Sequence, residues 1–250
     1  MNWKEMMGLV STVTILLPIF IIAFFRLHRF KCFLALGVYY VLAFCSNLIT
    51  EGYINVAPEF KRIFGITNNM LDAPLMLIFL AYFSTSAFLS KRIRYSVLIF
   101  LAFELVISVI YGYNKNAITI ILAPGLALIL CISVWFFLRQ IKITILHQKA
   151  TGKVLMISSL LFAYGCYAII YVMYYLIETK DVSDVFVMYF IAGTLSALIL
   201  SAGMIIENKR LRKLEELKIA RKELNSIYGN ISSKKNVSPE HFLWGNEQSN

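Results

Sequence analysis

Three groups of side chains in this sequence have chemistry that a purely apolar segment does not need. The first group combines an acid with two amides: Asn68, Asn69 and Asp72 precede the uncharged run Leu75–Ser90, which is sixteen residues long. In a helix, which turns by about 100° per residue, these three side chains share one face. Their oxygen atoms could hold a cation or a polar ligand.

Asp72 also has two structural interpretations. It could open the following helix as its N-cap, with Pro74 tolerated in the first turn. It could instead complete a capping arrangement begun at Asn69, which would leave Pro74 inside the helix as a kink. Asn47 and Glu51 end the preceding apolar segment four residues apart on one helical face. The five polar side chains are therefore predicted in one layer, as a ligand site or as a hydrated rim.

The second group is a single carboxylate, Glu104, in the middle of the apolar segment Tyr95–Tyr111. A charge at that depth in a membrane is costly even on lenient insertion scales. Because no basic residue is expected nearby, the carboxyl group should be protonated, hydrogen-bonded to neutral donors or matched by a bound cation. Each alternative predicts that Glu104 faces the interior of a helix bundle, in a structural role or as part of a ligand, proton or ion site.

The third group is a stripe of tyrosines, Tyr164, Tyr167, Tyr171 and Tyr174, at steps of three, four and three residues. Tyrosine at a membrane boundary usually anchors the interface, which accounts for Tyr174. Tyr167 and Tyr171 lie deeper, where their hydroxyl groups need partners. The stripe predicts either ordinary packing with interhelical hydrogen bonds or a polar, aromatic-lined cavity shared with the segments that carry Asp72 and Glu104.

The elements that would position these groups are membrane-spanning helices. The chain is 59% hydrophobic and 15% charged, whereas soluble domains carry roughly 25% charged residues. An all-α fold is predicted, a polytopic seven-transmembrane helix bundle over residues 1–206. Its apolar segments are Gly8–Phe25, Cys32–Leu48, Asn68–Lys91, Tyr95–Tyr111, Ala117–Leu138, Val154–Ile177 and Val185–Ile206.

The distribution of Lys and Arg predicts the orientation of this bundle. With seven spans, nineteen of the 24 basic residues fall on the side of the carboxyl terminus and five on the side of the amino terminus. The positive-inside rule therefore predicts an outside amino terminus and a cytoplasmic carboxyl terminus. We expect a plasma-membrane protein, in a bacterium one of the inner membrane, in contact with the lipid bilayer. The net charge of +10 is explained by this bias, and no nucleic-acid partner is expected.

The sequence changes character after the last span. Residues 207–231 are predicted to form a charged cytoplasmic helix, and residues 232–250 a disordered tail. One interpretation of the helix is a surface helix that rests on anionic lipid. The other is an interaction seam for a homodimer or for a cytoplasmic protein partner. The apolar side chains that follow the four-and-three spacing of a coiled coil are Leu217, Ala220, Leu224, Ile227 and Ile231.

Several kinds of chemistry are excluded by residue type. The interiors of the predicted spans contain no lysine that could bind retinal as a Schiff base, since Lys91 stands at the very end of its segment. His28, His147 and His241 all lie outside the spans. The four cysteines make no metal-binding pair. We therefore expect neither a metal site nor a cofactor.

In span count, orientation and the charged helix 207–231, the chain resembles the membrane region of bacterial seven-transmembrane sensor kinases. This resemblance implies a membrane sensor, although no kinase domain follows the helix in this sequence, so a signal would leave through partner contacts. The leading hypothesis is thus a sensor or receptor-like protein that is not an enzyme. The alternative is a small-solute transporter, or a membrane enzyme for a lipophilic substrate, with Asp72 and Glu104 as acid/base or ion-coupling groups.

Overall fold

The structure, a computed structural model, describes residues 3–84, 86–147, 150–173 and 182–234. In these ranges the chain forms seven long α-helices and no strand, and all seven are long and apolar enough to cross a membrane. The predicted all-α bundle of a multi-pass membrane protein is confirmed. Its helices are α1 Trp3–Phe24, α2 Lys31–Thr50, α3 Pro58–Leu80, α4 Ala87–Tyr111, α5 Lys115–His147, α6 Thr151–Tyr171 and α7 Val182–Lys234.

The outer surface of the bundle is apolar. On α4, for example, Ile99 is 71% exposed, Leu105 64% and Val109 84%. A water-soluble protein does not leave a continuous row of large aliphatic side chains in solvent. A helix that faces hydrocarbon does, because lipid tails are as apolar as these side chains and exposing them there has no hydrophobic cost. This surface is therefore suited to contact with the lipid bilayer.

Helix α3 begins ten residues earlier than the sequence predicted. Pro58 occupies the first helical position, where its missing N–H is no loss and its fixed φ suits the helix. Glu59 in the first turn favours the same start, because a negative charge complements the helix dipole there. The segment that was predicted as a polar connection up to Thr67 is thus largely helical.

The end of the same helix also differs from the prediction. The helix expected to continue to Lys91 stops at Leu80, and a 3₁₀ turn follows at Ala81–Phe83. Ser86 then caps α4, its Oγ accepting a hydrogen bond from the N–H of Leu89 at 3.2 Å. Short hydroxyl side chains at a helix start satisfy backbone N–H groups that have no partner in the helix. Lys91 therefore lies in the first turns of α4.

An aromatic cluster forms the core beside this break. Phe79 packs edge-on against Phe33 of α2, with ring centroids 5.7 Å apart, and against Phe83 at 5.4 Å. Phe83 in turn lies 6.1 Å from Phe136 of α5. These four rings are fully buried. They join α2, α3 and α5 at the end of the bundle where the basic residues are concentrated.

The chain divides into two units, and the boundary follows Asn208. Helix α7 is continuous across this boundary and ends at Lys234. In the second unit Leu217, Ala220 and Leu224 are exposed. The side chains of Ile227 and Ile231 lie outside the described residues, as does the chain from residue 235 onward. The coiled-coil seam stays a prediction.

Candidate functional site

Asp72 lies near the middle of the apolar span Pro58–Phe83 and well inside α3. It is therefore not an N-cap, and Asn69, which also lies inside the helix, begins no capping arrangement. Neither capping interpretation is correct, and Pro74 lies inside the helix. The side chain of Tyr164, on α6, donates a hydrogen bond to Asp72 Oδ1 at 2.6 Å. A carboxylate at this depth needs such donors, because the hydrocarbon around the bundle offers none.

A cavity of about 240 Å³ opens beside Asp72. Its wall combines one carboxylate, two amides and four phenol rings with a few aliphatic side chains. Five helices contribute to it, namely α2, α3, α5, α6 and α7. The lining residues are Tyr39, Ala43, Asn68, Asn69, Asp72, Leu122, Leu126, Tyr167, Ile170, Tyr171 and Tyr189.

The tyrosine rings around the cavity pack on one another. The ring of Tyr167 is nearly parallel to that of Tyr189 on α7, with centroids 5.4 Å apart, and it meets Tyr164 edge-on at 5.7 Å. The hydroxyl of Tyr171 donates to the carbonyl oxygen of Thr119 on α5 at 3.0 Å. Because ring contacts and hydrogen bonds restrict these side chains, the aromatic wall is held in place before any ligand binds.

Two residues predicted in the same polar layer do not line this cavity. The carboxylate of Glu51 lies against α1, so close that a Cβ added at Gly8 would stand 2.7 Å from its Oε2. Asn47 is 9% exposed, and its Nδ2 has no hydrogen-bond partner among the described residues. The layer of five oxygen-bearing side chains is therefore divided, with Asn68, Asn69 and Asp72 at the cavity.

Glu104 is a separate buried group. It is 2% exposed, and its Oε1 has no hydrogen-bond partner within the described ranges. It does not line the cavity, although it lies within electrostatic range of Asp72. Helices α3, α4 and α5 meet tightly nearby: a Cβ added at Gly125 would approach the rings of Phe100 and the side chain of Ala73 to 3.1 and 3.2 Å. The predicted participation of α4 in the cavity is thus not observed.

A second carboxylate–tyrosine pair lies just beyond the end of α3, at the 3₁₀ turn Ala81–Phe83. The hydroxyl of Tyr82 donates a hydrogen bond to Glu207 Oε1 on α7, and Glu207 is 1% exposed. Lys153 of α6 places its Nζ 4.7 Å from the centroid of the Tyr82 ring, in the geometry of a cation–π contact. The phenol therefore joins an acid and a base that come from two other helices.

Two glycines bring α6 and α7 together around this pair. A Cβ added at Gly152 would stand 2.7 Å from the backbone nitrogen of Glu207, and one added at Gly203 would stand 3.0 Å from the carbonyl oxygen of Gly152. Only residues without a side chain allow two helices to approach so closely. Farther along the same two helices, Ser159 Oγ donates to the carbonyl oxygen of Ser196 at 2.6 Å.

Several residues of these sites were not predicted from the sequence, namely Tyr39 and Tyr189 at the cavity and Tyr82, Lys153 and Glu207 at the second pair. Tyr39 and Tyr189 line the cavity, but each stands without a periodic tyrosine stripe on its own helix. Glu207 was assigned to the solvated charged helix because it begins the run of charged residues. The available signal was the pair of glycines at positions 152 and 203, one in each of two spans, which is typical of a close helix crossing.

The two sites offer different chemistry. Asp72 is an anionic or hydrogen-bonding group beside space for a ligand, whereas Glu207 is enclosed by protein. Among the described residues no three His, Cys, Asp or Glu side chains are grouped as metal ligands.

No protein-family model, no curated protein and no solved structure matches this chain. The arguments for function therefore rest on these two sites.

Proposed function

We propose that this protein is an integral membrane receptor that binds a small ligand in the cavity beside Asp72 and passes the binding event to its carboxyl-terminal helix. In this proposal the amino terminus is outside and the carboxyl terminus cytoplasmic, as the distribution of Lys and Arg favours. The cavity then opens within the outer half of the membrane. The Tyr82–Glu207 pair then lies on the cytoplasmic side, and Glu207 directly precedes in sequence the segment that would contact a partner.

The observation that carries this proposal is the continuity of α7. The same helix contributes Tyr189 to the cavity wall, contributes Glu207 to the buried pair and continues beyond Asn208 to Lys234. A ligand that displaces Tyr189 acts directly on α7, and a helix can pass such a change on along its length. The exposed seam side chains Leu217 and Leu224 give that change a surface on which to act.

Cysteine crosslinking in native membranes tests this relay. In a chain whose four native cysteines are replaced by serine, Leu224→Cys should form a disulfide-linked dimer, and Ile219→Cys should not. Both positions are exposed, 51% and 53% respectively, but Ile219 is off the predicted seam. Filling the cavity with Ala43→Phe should mimic a bound ligand and raise the association of Leu224→Cys by roughly fivefold, the lower end of typical allosteric coupling.

The matched control adds the same ring on the same helix but away from the cavity. Val38 is 42% exposed on α2, so Val38→Phe should leave the yield of crosslinked dimer unchanged. Equal crosslinking at Leu224→Cys and Ile219→Cys would contradict the predicted seam. If Ala43→Phe does not change the yield of the Leu224→Cys dimer, the proposed relay is contradicted.

A proton-coupled transporter is the second function, and Glu104 favours it. A buried carboxyl group with an unpartnered oxygen, within electrostatic range of an acid that lines a cavity, is the arrangement that proton-coupled carriers use. In proteoliposomes, an imposed pH gradient should then drive proton flux that Glu104→Gln abolishes. Glu59→Gln, an exposed acid on α3, is the control. Proton flux equal to that of empty liposomes would exclude this function.

A further inference from the structure

The charge of the cavity wall restricts what the cavity can hold. Asp72 is the one ionisable acid in the wall, and no lysine, arginine or histidine belongs to the described lining residues. A ligand with a negative charge would meet a carboxylate in a medium of low dielectric constant, where like charges repel strongly. A ligand with one positive charge would neutralise Asp72, which otherwise depends on the hydroxyl of Tyr164.

The aromatic side chains favour the same charge. Four tyrosines contribute to the wall, and Tyr167 and Tyr189 form a stacked pair within it. The faces of aromatic rings attract cations, and cages of such rings recognise quaternary ammonium groups. The amides of Asn68 and Asn69 add hydrogen-bonding groups without adding charge. An acid surrounded by phenols is therefore complementary to a positive charge attached to an apolar body.

The size and oxygen content of the site argue against a metal ion. Ca²⁺ takes six to eight oxygen ligands at short distances, whereas the described part of the chain groups no three carboxylate, imidazole or thiolate ligands together. The cavity of about 240 Å³ is smaller than the pockets of roughly 300–1,000 Å³ that hold drug-sized molecules. This volume suits a small organic ligand.

We infer that the cavity binds a small organic monocation, an amine or quaternary ammonium compound, with its charge at Asp72 and its apolar part among Tyr39, Tyr167 and Tyr189. This inference deepens the proposed receptor function, on which it rests, by naming the class of ligand. The ammonium group supplies the positive charge that the wall lacks. The rings of Tyr167 and Tyr189 then contact the methyl or methylene groups next to the charge, where the cation–π attraction acts.

A pair of isosteric probes tests the charge directly. Choline and 3,3-dimethyl-1-butanol have the same shape, but only choline carries a charge. With purified protein in nanodiscs, choline should bind and raise the thermal midpoint, while the neutral alcohol should bind roughly tenfold more weakly or not at all. Sodium chloride at matched ionic strength controls for screening. Equal affinity for choline and the alcohol, or no binding of choline, tetramethylammonium or benzylamine, overturns the inference.

Substitutions in the cavity wall test whether choline binds in this cavity. Asp72→Asn should weaken choline binding by about tenfold or more, because the buried positive charge loses its partner. Tyr189→Phe keeps the ring and should bind nearly as well as the unmodified protein, whereas Tyr189→Leu should bind more weakly. The thermal midpoint without ligand identifies any variant that fails to fold. Glu51→Gln removes an acid that lies against α1 and should leave choline affinity unchanged.

The two proposals fail in different ways. If choline binds and Asp72→Asn abolishes binding, but Leu224→Cys crosslinking is the same with and without choline, the ligand class stands and the receptor function is overturned. If 3,3-dimethyl-1-butanol binds as well as choline and changes crosslinking, the receptor function stands and the cationic ligand is overturned. Choline binding that is equal in the Asp72→Asn variant contradicts the site itself.

Discussion

Two carboxylates of this protein, Asp72 and Glu207, accept a hydrogen bond from a tyrosine, but one lies beside a cavity and the other is tightly packed. Asp72 pairs with Tyr164 beside a cavity of about 240 Å³. Glu207 pairs with Tyr82 where two helices touch through Gly152, and it is 1% exposed. Both pairs contain the same phenol–carboxylate hydrogen bond, so the surroundings of each pair, including Lys153 beside Tyr82, must determine what it does.

The two pairs differ in the free space beside them, which suits Asp72 to ligand binding and Glu207 to holding helices together. At Asp72 the neighbouring volume lets a ligand or water exchange contacts with the carboxylate, which a binding site requires. At Glu207 the backbones of α6 and α7 leave no such volume, so the pair holds three helices in one arrangement. Protein interiors packed in this way change between discrete arrangements and do not deform gradually. The Glu207 region is thus suited to fix the position of α7.

The largest expected effect comes from filling the tight contact. Gly152→Ala places a methyl group 2.7 Å from the backbone nitrogen of Glu207, and a helix backbone cannot yield as a side chain can. We expect a loss of about 1–3 kcal/mol in the free energy of unfolding, the range for overpacked cores. Thermal unfolding of the purified protein in detergent would measure it.

The matched control uses the same substitution on the same helix. Gly165→Ala, next to Tyr164 on α6, meets nothing within 4 Å. It should leave stability unchanged or raise it by up to about 1 kcal/mol, because alanine is the better helix former. Equal stability of the two variants would mean that the Glu207 end is as open as the cavity end, and the contrast between the regions would disappear.

Sequence alone predicts the number of helices because that number depends on apolar segments longer than the membrane is thick. The break after Phe83 was missed for a definite reason. The break contains Ser84 and Ser86, which carry no charge and so do not interrupt a hydropathy pattern. Helix capping by Ser86 is a local hydrogen-bond effect that average hydropathy does not include.

The candidate sites were predictable only in part, for a similar reason. Asp72 was found because an acid is costly in an apolar segment, and Tyr167 and Tyr171 because their spacing forms a stripe. Glu207 was missed since its burial depends on Gly152, which lies 55 positions earlier in the sequence. A residue whose role depends on a partner in another helix leaves no periodic signal of its own.

The last comparison removes one hydroxyl from each pair, and it includes the smallest expected effect. Tyr82→Phe should cost about 1–3 kcal/mol, because Glu207 is enclosed and no water can replace the lost donor. Tyr164→Phe should cost less, about 0.5–1 kcal/mol, since water in the neighbouring cavity can donate to Asp72 Oδ1 instead. Thermal unfolding of both variants beside Tyr95→Phe, a tyrosine 54% exposed on α4, measures the difference. A larger loss for Tyr164→Phe than for Tyr82→Phe would reverse the assignment, making Asp72 the structural acid and Glu207 the exchangeable one.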